Sequence, residues 1–172
     1  MRTGIPTMMI RNAQEADIPA LVRIYNQAIL EGLRTGDTEP VDQVERAAWL
    51  REHDVLHPVL VAELQGIVVG YVSLSSYRKG RAALQRTAEI SYYVDQEHRR
   101  SGVASALLQA AFDFSEGHDL RTLIAIVIAA NTASIALLER FGFTLWGTLP
   151  DVVEYGEKTL DHLYFGRRIE GA

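Results

Sequence analysis

The sequence has 172 residues, 48% of them hydrophobic and 23% charged, which is enough apolar material for one domain with its own core. A formal net charge of −5 argues against a general nucleic-acid or membrane-surface binder, because such proteins cluster basic residues against phosphates. The absence of cysteine excludes disulfides and a thiolate nucleophile, and the five histidines show no close ligand pairing, so no metal is expected.

The hydropathy pattern indicates neither a signal peptide nor a membrane span. The first residues lack an apolar segment, and no apolar run approaches the roughly 18 residues that a spanning helix requires. We therefore expect a cytoplasmic protein with no membrane or nucleic-acid partner. Residues 1–7 are expected to form a loose leader and residues 8–172 a single domain.

The first half of the chain predicts a strand, two helices and a β-hairpin. Asp17 is the expected cap of the first helix, with Pro19 in its first turn. The second helix should bury Val44, Ala48 and Trp49 on one side. The expected elements are a strand at 8–11, a helix from 18, a loop at 33–40, a helix at 42–54, hairpin strands at 59–64 and 67–75, and an irregular basic loop at 77–86.

A strand expected at 88–94 leads directly into a loop and a helix that begins near Ser101. The helix entrance combines Arg99 and Arg100 with Gly102 and small residues. The first N–H groups of a helix have no internal partner, and glycine allows a ligand to approach the backbone closely. This entrance therefore predicts a phosphate-binding site.

The sequence of the loop excludes two common classes of phosphate-binding motif. The loop lacks the Gly-Lys-Ser/Thr ending of a Walker A motif and the three-glycine dinucleotide fingerprint. It matches Arg/Gln-x-x-Gly-x-Gly/Ala through Arg99, Gly102 and Ala104. Taken alone, this short pattern is equally compatible with a glycine-initiated surface helix that carries ordinary basic residues.

A second motif occupies residues 131–143, with the sequence Asn-Thr-Ala-Ser-Ile-Ala-Leu-Leu-Glu-Arg-Phe-Gly-Phe. An apolar strand at 122–128, expected to be buried on both faces, separates it from the first motif. Asn131 suits the N-cap of a helix at 132–141, which Gly142 would end. On their own, both residues are compatible with a purely capping role.

In this order and spacing, the two motifs resemble the pyrophosphate loop and the Asn-x-x-Ser…Phe-Gly-Phe segment of the GNAT superfamily of acyl-CoA-dependent N-acyltransferases. The resemblance implies an α/β (α+β) fold with a mixed, mostly antiparallel central sheet, splayed in the middle and flanked by helices. The order of predicted elements agrees, with closing strands at 144–149 and 160–169 around a loop at 150–158. The resemblance also implies acetyl-CoA as cosubstrate, held by Tyr93, Val94, Arg99, Arg100, Ser101, Gly102, Val103, Ala104, Ser105, Asn131 and Ser134.

Over residues 10–169 the chain further resembles the phosphinothricin and methionine sulfone or sulfoximine N-acetyltransferase branch of that superfamily. This resemblance implies acetyl transfer to the α-amine of a small amino-acid-like acceptor, and a homodimer. It is carried by Ile-Tyr-Asn-Gln-Ala-Ile at 24–29, Thr38-Glu39-Pro40, Trp49, Tyr77-Arg78-x-x-Arg81 and Thr87-x-Glu89.

Three positions depart from the branch pattern. Leu138 stands where the phosphinothricin enzymes carry a histidine, Leu84 replaces an expected tyrosine, and Thr159-Leu160-Asp161 lacks an expected tryptophan. A catalytic role for that histidine is not carried over, and the identity of the acceptor stays open.

The implied reaction requires a base, because an amine with a pKa of about 9 to 10 is protonated at neutral pH. Glu89 resembles the branch's proposed catalytic glutamate, and burial would raise its pKa; the alternative is a surface carboxylate at a strand end. By resemblance, a backbone N–H near Tyr93 or Val94 stabilises the thioester oxygen. Tyr155 and Tyr164 are both candidates to protonate the leaving thiolate, and we take Tyr155 as the working assignment.

Recognition of the acceptor would use other residues. Arg78 or Arg81 offers a forked cation for an acceptor carboxylate, and the resemblance places Thr38 and Glu39 at the acceptor's polar end. A polyamine, an aminoglycoside or a protein N-terminus are alternative acceptors. A non-catalytic acyl-CoA sensor is a different class of function, which would keep the phosphate loop without needing Glu89.

Overall fold

A computed structural model describes residues 7–169. The leader predicted for residues 1–7 lies, apart from Thr7, outside these described residues. Within them the chain forms four α-helices and seven strands. They are β1 (Met8–Asn12), α1 (Ile18–Glu31), α2 (Gln43–Arg51), β2 (Val59–Leu64), β3 (Ile67–Ser76), β4 (Thr87–Val94), α3 (Val103–Gly117), β5 (Thr122–Ile128), α4 (Thr132–Arg140), β6 (Thr144–Tyr155) and β7 (Lys158–Arg168).

The seven strands form one mixed sheet in the order β1-β2-β3-β4-β5-β7-β6. Each neighbouring pair is antiparallel except β4 and β5. A parallel pair needs a crossover connection, and α3 supplies it. The predicted fold class is confirmed.

The sheet is splayed between β4 and β5. Their pairing covers only Thr87–Glu89 of β4 and Thr122–Ile124 of β5. Beyond Glu89, β4 remains paired with β3 up to Val94, and β5 remains paired with β7 up to Ile128. A gap therefore opens in the middle of the sheet, as the resemblance to the GNAT superfamily implies.

Apolar layers cover both faces of the sheet. On one face, α3 and α4 contribute to a cluster that includes Leu107, Leu123 and Leu138. On the other face, Leu21 of α1 packs in a second cluster with Tyr71 of β3. Each of these five side chains is at most 1% exposed, so hydrophobic burial holds the strands that border the gap from both sides.

The first turn of α3 packs directly on β3 at Gly70. A Cβ added to Gly70 would lie 2.9 Å from Val103 Cγ1 and 3.1 Å from Tyr93 O. Because Val103 is the first residue of α3, this close contact positions the helix entrance against the end of β4.

The predicted loop at 150–158 is wrong. Strand β6 continues to Tyr155, and the chain turns at Gly156, whose φ is 61°. The register of β6 with β7 shifts between Leu149 and Val153, and Pro150 falls within this irregular stretch. A proline lacks the N–H that a regular ladder needs but is tolerated at such an irregularity, so it interrupts the pairing without ending the strand.

Three predictions about the first two helices are also wrong. Helix α2 ends at Arg51, three residues earlier than predicted. Its buried residue is Arg46. Val44 is 75% exposed, and Ala48 is also exposed. Asp17 precedes α1 but does not cap it through its side chain. Its carboxylate instead accepts hydrogen bonds from the Arg11 guanidinium at 2.7 and 2.9 Å and from the backbone N–H of Gln14 at 2.8 Å. These donors lie before α1, so the carboxylate is turned away from the first N–H groups of the helix.

No helix in residues 7–169 is both long enough and apolar enough to cross a membrane.

Candidate active site

The entrance of α3 presents free backbone donors. The helix begins at Val103, two residues later than predicted, and Gly102 is its N-cap with a φ of 86°, which glycine adopts without strain. The hydrogen bond from Ala106 N to Gly102 O measures 3.0 Å, so the N–H groups of residues 103–105 precede the first helical donor and lack an intrahelical acceptor. No atom lies within 4 Å of the position that a Cβ on Gly102 would take. The entrance is therefore open to an anion.

The gap exposes backbone donors of β4. Asp95 N–H donates to Val69 O of β3 at 2.9 Å, and the pairing of β3 with β4 runs without a shift. N–H groups point alternately to the two neighbours of a strand. It follows that Tyr93 N–H points towards β3, whereas Val94 N–H points into the gap.

A cavity of about 270 Å³ lies on the α1 and α2 side of the sheet. Side chains of alternate strand residues share one face of a sheet, and those of β3 and β4 form the cavity floor. The helix side contributes Tyr25, Arg46 and Trp49, together with Asp37 from the loop between α1 and α2. The floor residues are Tyr71, Ser73, Ser75, Glu89, Ser91 and Tyr93.

Glu89 lies on this floor at the point where the gap begins. It is the last residue of β4 that pairs with β5, and its side chain is half-buried. Burial raises the pKa of Glu89 above its ordinary value of 4.5, because the carboxylate loses part of its hydration. The arrangement gives a carboxylate suited to accept a proton from a molecule in the cavity.

Hydrogen bonds from Tyr25 hold the loop between α1 and α2 beside the cavity. The Tyr25 hydroxyl donates to Asp37 Oδ2 at 2.5 Å and lies 2.8 Å from Thr35 Oγ1. Burial raises the pKa of Tyr25, so the hydroxyl keeps its proton and remains a donor at neutral pH. Its ring packs edge-on against that of Tyr93, with centroids 5.0 Å apart.

Arg46 is a cavity residue that the sequence analysis missed. Its side chain is 5% exposed, and its guanidinium carbon lies 4.1 Å from the ring centroid of Tyr25 and 4.5 Å from that of Trp49. Residues three apart share a helix face, and Trp49 was already expected to face inwards. That spacing is the signal by which Arg46 could have been found.

Residues 21–143 match the sequence profile of the acetyltransferase (GNAT) family. The chain belongs to this family.

Curated relatives cover almost the same length. YwnH of Bacillus subtilis, provisionally named a phosphinothricin acetyltransferase, is 37% identical over 163 residues, which cover 94% of this chain and 99% of YwnH. The L-methionine sulfoximine/L-methionine sulfone acetyltransferase of Salmonella typhimurium is 34% identical over 151 residues, covering 87% and 88% of the two chains.

Solved structures share the GNAT fold of this chain. A phosphinothricin acetyltransferase from Sinorhizobium meliloti, solved with acetyl-CoA, superposes with a TM-score of 0.87 at 29% identity, covering 95% of this chain and 89% of the other. A ribosomal-protein-alanine N-acetyltransferase from Brucella melitensis superposes with a TM-score of 0.88 at 37% identity, covering 93% and 99%.

Within this GNAT domain, Arg99 of the loop before α3 is held by an acidic partner. Arg99 Nη2 lies 2.6 Å from Glu31 Oε2, and Glu31 Oε1 lies 2.7 Å from Arg34 Nη2. The hydrogen bond from Arg99 lowers the pKa of Glu31, which therefore stays charged. Arg34 Nη1 also donates to Asn131 Oδ1 at 2.6 Å. These contacts bring the two sequence motifs together at the end of α1.

The structure also places other predicted cofactor residues. Asn131 caps α4 as predicted, since its side chain accepts a hydrogen bond from Ser134 N at 3.4 Å. Arg100 and Ser101 are exposed. Ser105 Oγ lies at the start of α3 and accepts a hydrogen bond from an arginine of α4 at 3.1 Å.

The two candidate tyrosines lie outside the Glu89 cavity. The Tyr155 hydroxyl donates to Asp37 O at 3.4 Å, and its ring lies 3.7 Å from where a Cβ on Gly32 would be. Tyr155 thus contacts the loop between α1 and α2 from β6. Tyr164 lies on β7, where it pairs with Ile126 of β5.

The predicted acceptor-binding residues are not brought together with Glu89. Arg78 and Arg81 line a separate groove of about 480 Å³ that also includes Ser76, whereas Ser75, on the opposite face of β3, lines the Glu89 cavity. Thr38 and Glu39 are exposed on the loop whose neighbouring Asp37 lines that cavity. No group of three or more metal-ligating side chains occurs in the described residues.

Proposed function

We propose that this chain acetylates the primary amine of a small amino-acid-like acceptor of the phosphinothricin or methionine sulfoximine type, with acetyl-CoA as the donor. The observation that carries the proposal is the position of Glu89. A carboxylate of raised pKa lies on the floor of a small-molecule-sized cavity, at the point where β4 and β5 separate.

Glu89 acts as the general base in this proposal. An acceptor ammonium with a pKa of about 9 to 10 must lose a proton before its nitrogen can attack a carbonyl. The raised pKa of Glu89 narrows the difference between the two groups and makes the transfer less unfavourable. The freed nitrogen lone pair then attacks the thioester carbon, and the carbon–sulfur bond breaks as the amide forms. The nitrogen gives up its second proton in this step, which balances the proton that the leaving thiolate takes up.

The gap supplies the polar environment for the carbonyl oxygen. Val94 N–H, directed into the gap by the alternation of β4, would donate to the oxygen as negative charge develops on it. The free N–H groups of residues 103–105 and the left-handed Gly102 suit the pyrophosphate of the donor. Acetyl-CoA supplies the activated acetyl group.

Tyr155 is our proposal for the group that protonates the departing thiolate. Its hydroxyl donates to Asp37 O, and Asp37 lines the cavity, while Tyr164 lies on β7. A Tyr155→Phe variant that kept full turnover would remove this role.

A protein N-terminus is a second candidate acceptor. One solved structure of similar fold is named a ribosomal-protein-alanine N-acetyltransferase. The cavity volume of about 270 Å³ favours a single small molecule, because a peptide needs an extended groove for several residues.

We also propose a homodimer in the cytoplasm. Strand β6 is a sheet edge, and four large apolar side chains on it are 40% to 52% exposed: Leu145, Trp146, Leu149 and Val152. An unpaired edge with exposed apolar residues is a favourable surface for a second copy.

The deciding experiment measures thiol release from acetyl-CoA by the purified protein with a panel of amines. The panel contains phosphinothricin, methionine sulfone, methionine sulfoximine, common amino acids, spermidine and a peptide with an N-terminal alanine. Turnover confined to the amino-acid analogues would establish the proposed class. Turnover of the peptide alone would replace it with protein N-terminal acetylation, and acetyl-CoA binding without any turnover would favour a sensor.

A further inference from the structure

Arg46 is a buried cation with no anionic partner in the described residues. Its side chain is 5% exposed, no carboxylate forms an ion pair with it, and its Nε is buried without a hydrogen-bond acceptor. The Tyr71 hydroxyl, on the floor of the same cavity, is also buried without a partner. Such groups are costly to bury unless something satisfies them.

The aromatic neighbours of Arg46 hold the guanidinium without satisfying it. The rings of Tyr25 and Trp49 lie 4.1 and 4.5 Å from the guanidinium carbon, which is a favourable cation–π distance. Stacking of this kind orients the guanidinium plane, but a ring face provides no oxygen for its five N–H donors. Arg46 is therefore fixed in place with its hydrogen-bonding capacity unused.

The carboxylates of the cavity are directed elsewhere. Asp37 accepts the hydrogen bond of Tyr25 at 2.5 Å, and Glu45 Oε2 accepts one from Asp42 N at 2.8 Å as part of the α2 capping box. Glu89 lies on the sheet side of the cavity and makes no ion pair with Arg46, which lies on α2. The missing anion is not supplied by the cavity residues themselves.

We propose that Arg46 binds the carboxylate of the acceptor, or an oxyanion in the same place, and thereby selects acceptors that carry a negative charge beside the amine. This inference rests on the proposed acetyl transfer, since it assigns the second polar group of the same acceptor. Glu89 on the sheet side receives the ammonium, and Arg46 on the helix side receives the carboxylate. The cavity thus matches both charges of a zwitterionic amino acid.

Two other arginines compete for this role. Arg78 and Arg81 are exposed and line the groove on the other face of β3. A carboxylate bound there would be separated from Glu89 by the strand that carries Ser75 and Ser76. The geometry favours Arg46, which shares one cavity with the base.

The test compares methionine sulfone with its carboxamide, which keeps the amine and removes the negative charge. For the wild-type protein we expect the acid to be preferred. Arg46→Gln should lower kcat/KM for the acid by about 100-fold or more, mainly through KM, because a buried charge contact is lost. The carboxamide should change by less than about threefold, since it has no charge for Arg46 to bind. Arg46→Lys, which keeps the charge but not the fork, should recover part of the loss.

The controls separate binding from folding. Arg51→Gln removes an exposed arginine from the same helix and should leave both rates unchanged. The acid-to-amide ratio within one variant cancels any general loss of folded protein. Equal losses for acid and amide in Arg46→Gln would overturn the inference, as would a wild-type protein that does not distinguish the two. Loss of the preference in Arg78→Gln or Arg81→Gln, with Arg46→Gln unaffected, would also overturn it.

A binding measurement distinguishes failure of this inference from failure of the proposed function. If the wild-type protein acetylated neither compound, acetyl transfer to amino acids would be rejected. Calorimetric titration of methionine sulfone would then decide the role of Arg46. Binding that Arg46→Gln abolishes would support the inference, and the absence of binding to the wild-type protein would overturn it.

Discussion

Glu89 and Ile124 form the last pair of the ladder between β4 and β5. Glu89 thus belongs both to the paired part of the two strands and to the edge of the gap. Its backbone is held by two neighbouring strands, while its side chain lies in the cavity beside α2. If Glu89 is the base, as we propose, its fixed position means that it needs no rearrangement to meet an acceptor placed between the cavity and the gap.

The first prediction concerns Glu89. Glu89→Gln keeps the size of the side chain but cannot accept the acceptor proton, so kcat should fall by about 10²- to 10⁴-fold. The KM for acetyl-CoA should stay nearly constant, because Glu89 lies outside the predicted pyrophosphate loop. Steady-state kinetics with both substrates measure kcat and the KM for acetyl-CoA separately. Glu116→Gln on the exposed end of α3 is the matched control. Unchanged kcat would remove Glu89 as the base.

The pH dependence follows from the same residue. In the proposed mechanism the deprotonated carboxylate is the active form, so kcat/KM should rise with pH through the pKa of Glu89. Burial raises that pKa above 4.5, which places the acid limb of the profile above pH 4.5. Glu89→Gln should lose this limb, and a limb that persisted in the variant would have to belong to another group.

The second prediction concerns the helix entrance. Gly102 has a φ of 86° and open space around its missing Cβ. Gly102→Val should weaken acetyl-CoA binding by about tenfold or more, because a β-branched residue is strained in the left-handed region and would shift the N–H groups that follow. Equilibrium titration with CoA measures the effect.

Gly117→Ala is the control for that substitution. Gly117 lies in the last turn of α3 with no atom within 4 Å of its Cβ position, and its φ is not positive. CoA affinity should be unchanged, and the helix should become slightly more stable. Wild-type affinity in Gly102→Val would reject the assignment of the loop.

The third prediction concerns the ion pair between the buried Asp17 and the partly exposed Arg11. The Arg11 hydrogen bonds hold the pKa of Asp17 below its ordinary value of 3.8. Asp17→Asn should lower the free energy of unfolding by about 1 to 3 kcal/mol at neutral pH. Arg11 keeps Glu63 as a partner at 2.8 Å, which limits the loss. Urea unfolding measures the difference, with Glu15→Gln in the same turn as the exposed control.

The lowered pKa of Asp17 determines how the stabilising effect of this ion pair changes with pH. A carboxylate whose pKa is lowered by folding stabilises the native state fully above its unfolded pKa, near 3.8. That stabilisation is lost as the pH falls through the lower folded pKa. The difference between wild type and Asp17→Asn should therefore shrink below about pH 4, and a constant difference down to pH 2 would contradict the assignment.

The fourth prediction tests the proposed dimer. Trp146→Glu places a charge in the exposed apolar row of β6 and should shift the protein from dimer to monomer, because burying that charge opposes association. Light scattering after size-exclusion chromatography measures the molecular mass. Val55→Glu, at a residue that is 82% exposed elsewhere on the surface, should remain dimeric. A wild-type protein that is monomeric at all concentrations would end the proposal.

Much of the fold and part of the candidate site were predictable because their signals are local. Gly102 at a helix entrance and Asn131 before a second helix can be recognised from a few neighbouring residues. Gly102 does stand at the helix entrance, where the structure gives it a left-handed conformation, and Asn131 accepts the capping hydrogen bond as predicted. Both depend on the geometry of a single helix end, which neighbouring residues set.

The contacts between distant segments were not predictable. Arg99 was expected to attract phosphate, but its pairing with Glu31 depends on how α1 lies beside the loop before α3. The extension of β6 depends on β7, which supplies hydrogen bonds on both sides of Pro150. The residues next to these positions in the sequence do not indicate which distant residues they will contact.

By itself, the sequence determined the order of the elements, the two motif segments and the candidate base, because periodicity and capping act within one element. Only the tertiary structure decided which side chains share the cavity. Helix α2 turns Arg46 inwards and leaves Val44 exposed, because the rings of Tyr25 and Trp49 stack on the guanidinium and compensate part of its burial. That choice depends on the packing of α1, α2 and β3 together, and no single segment specifies it.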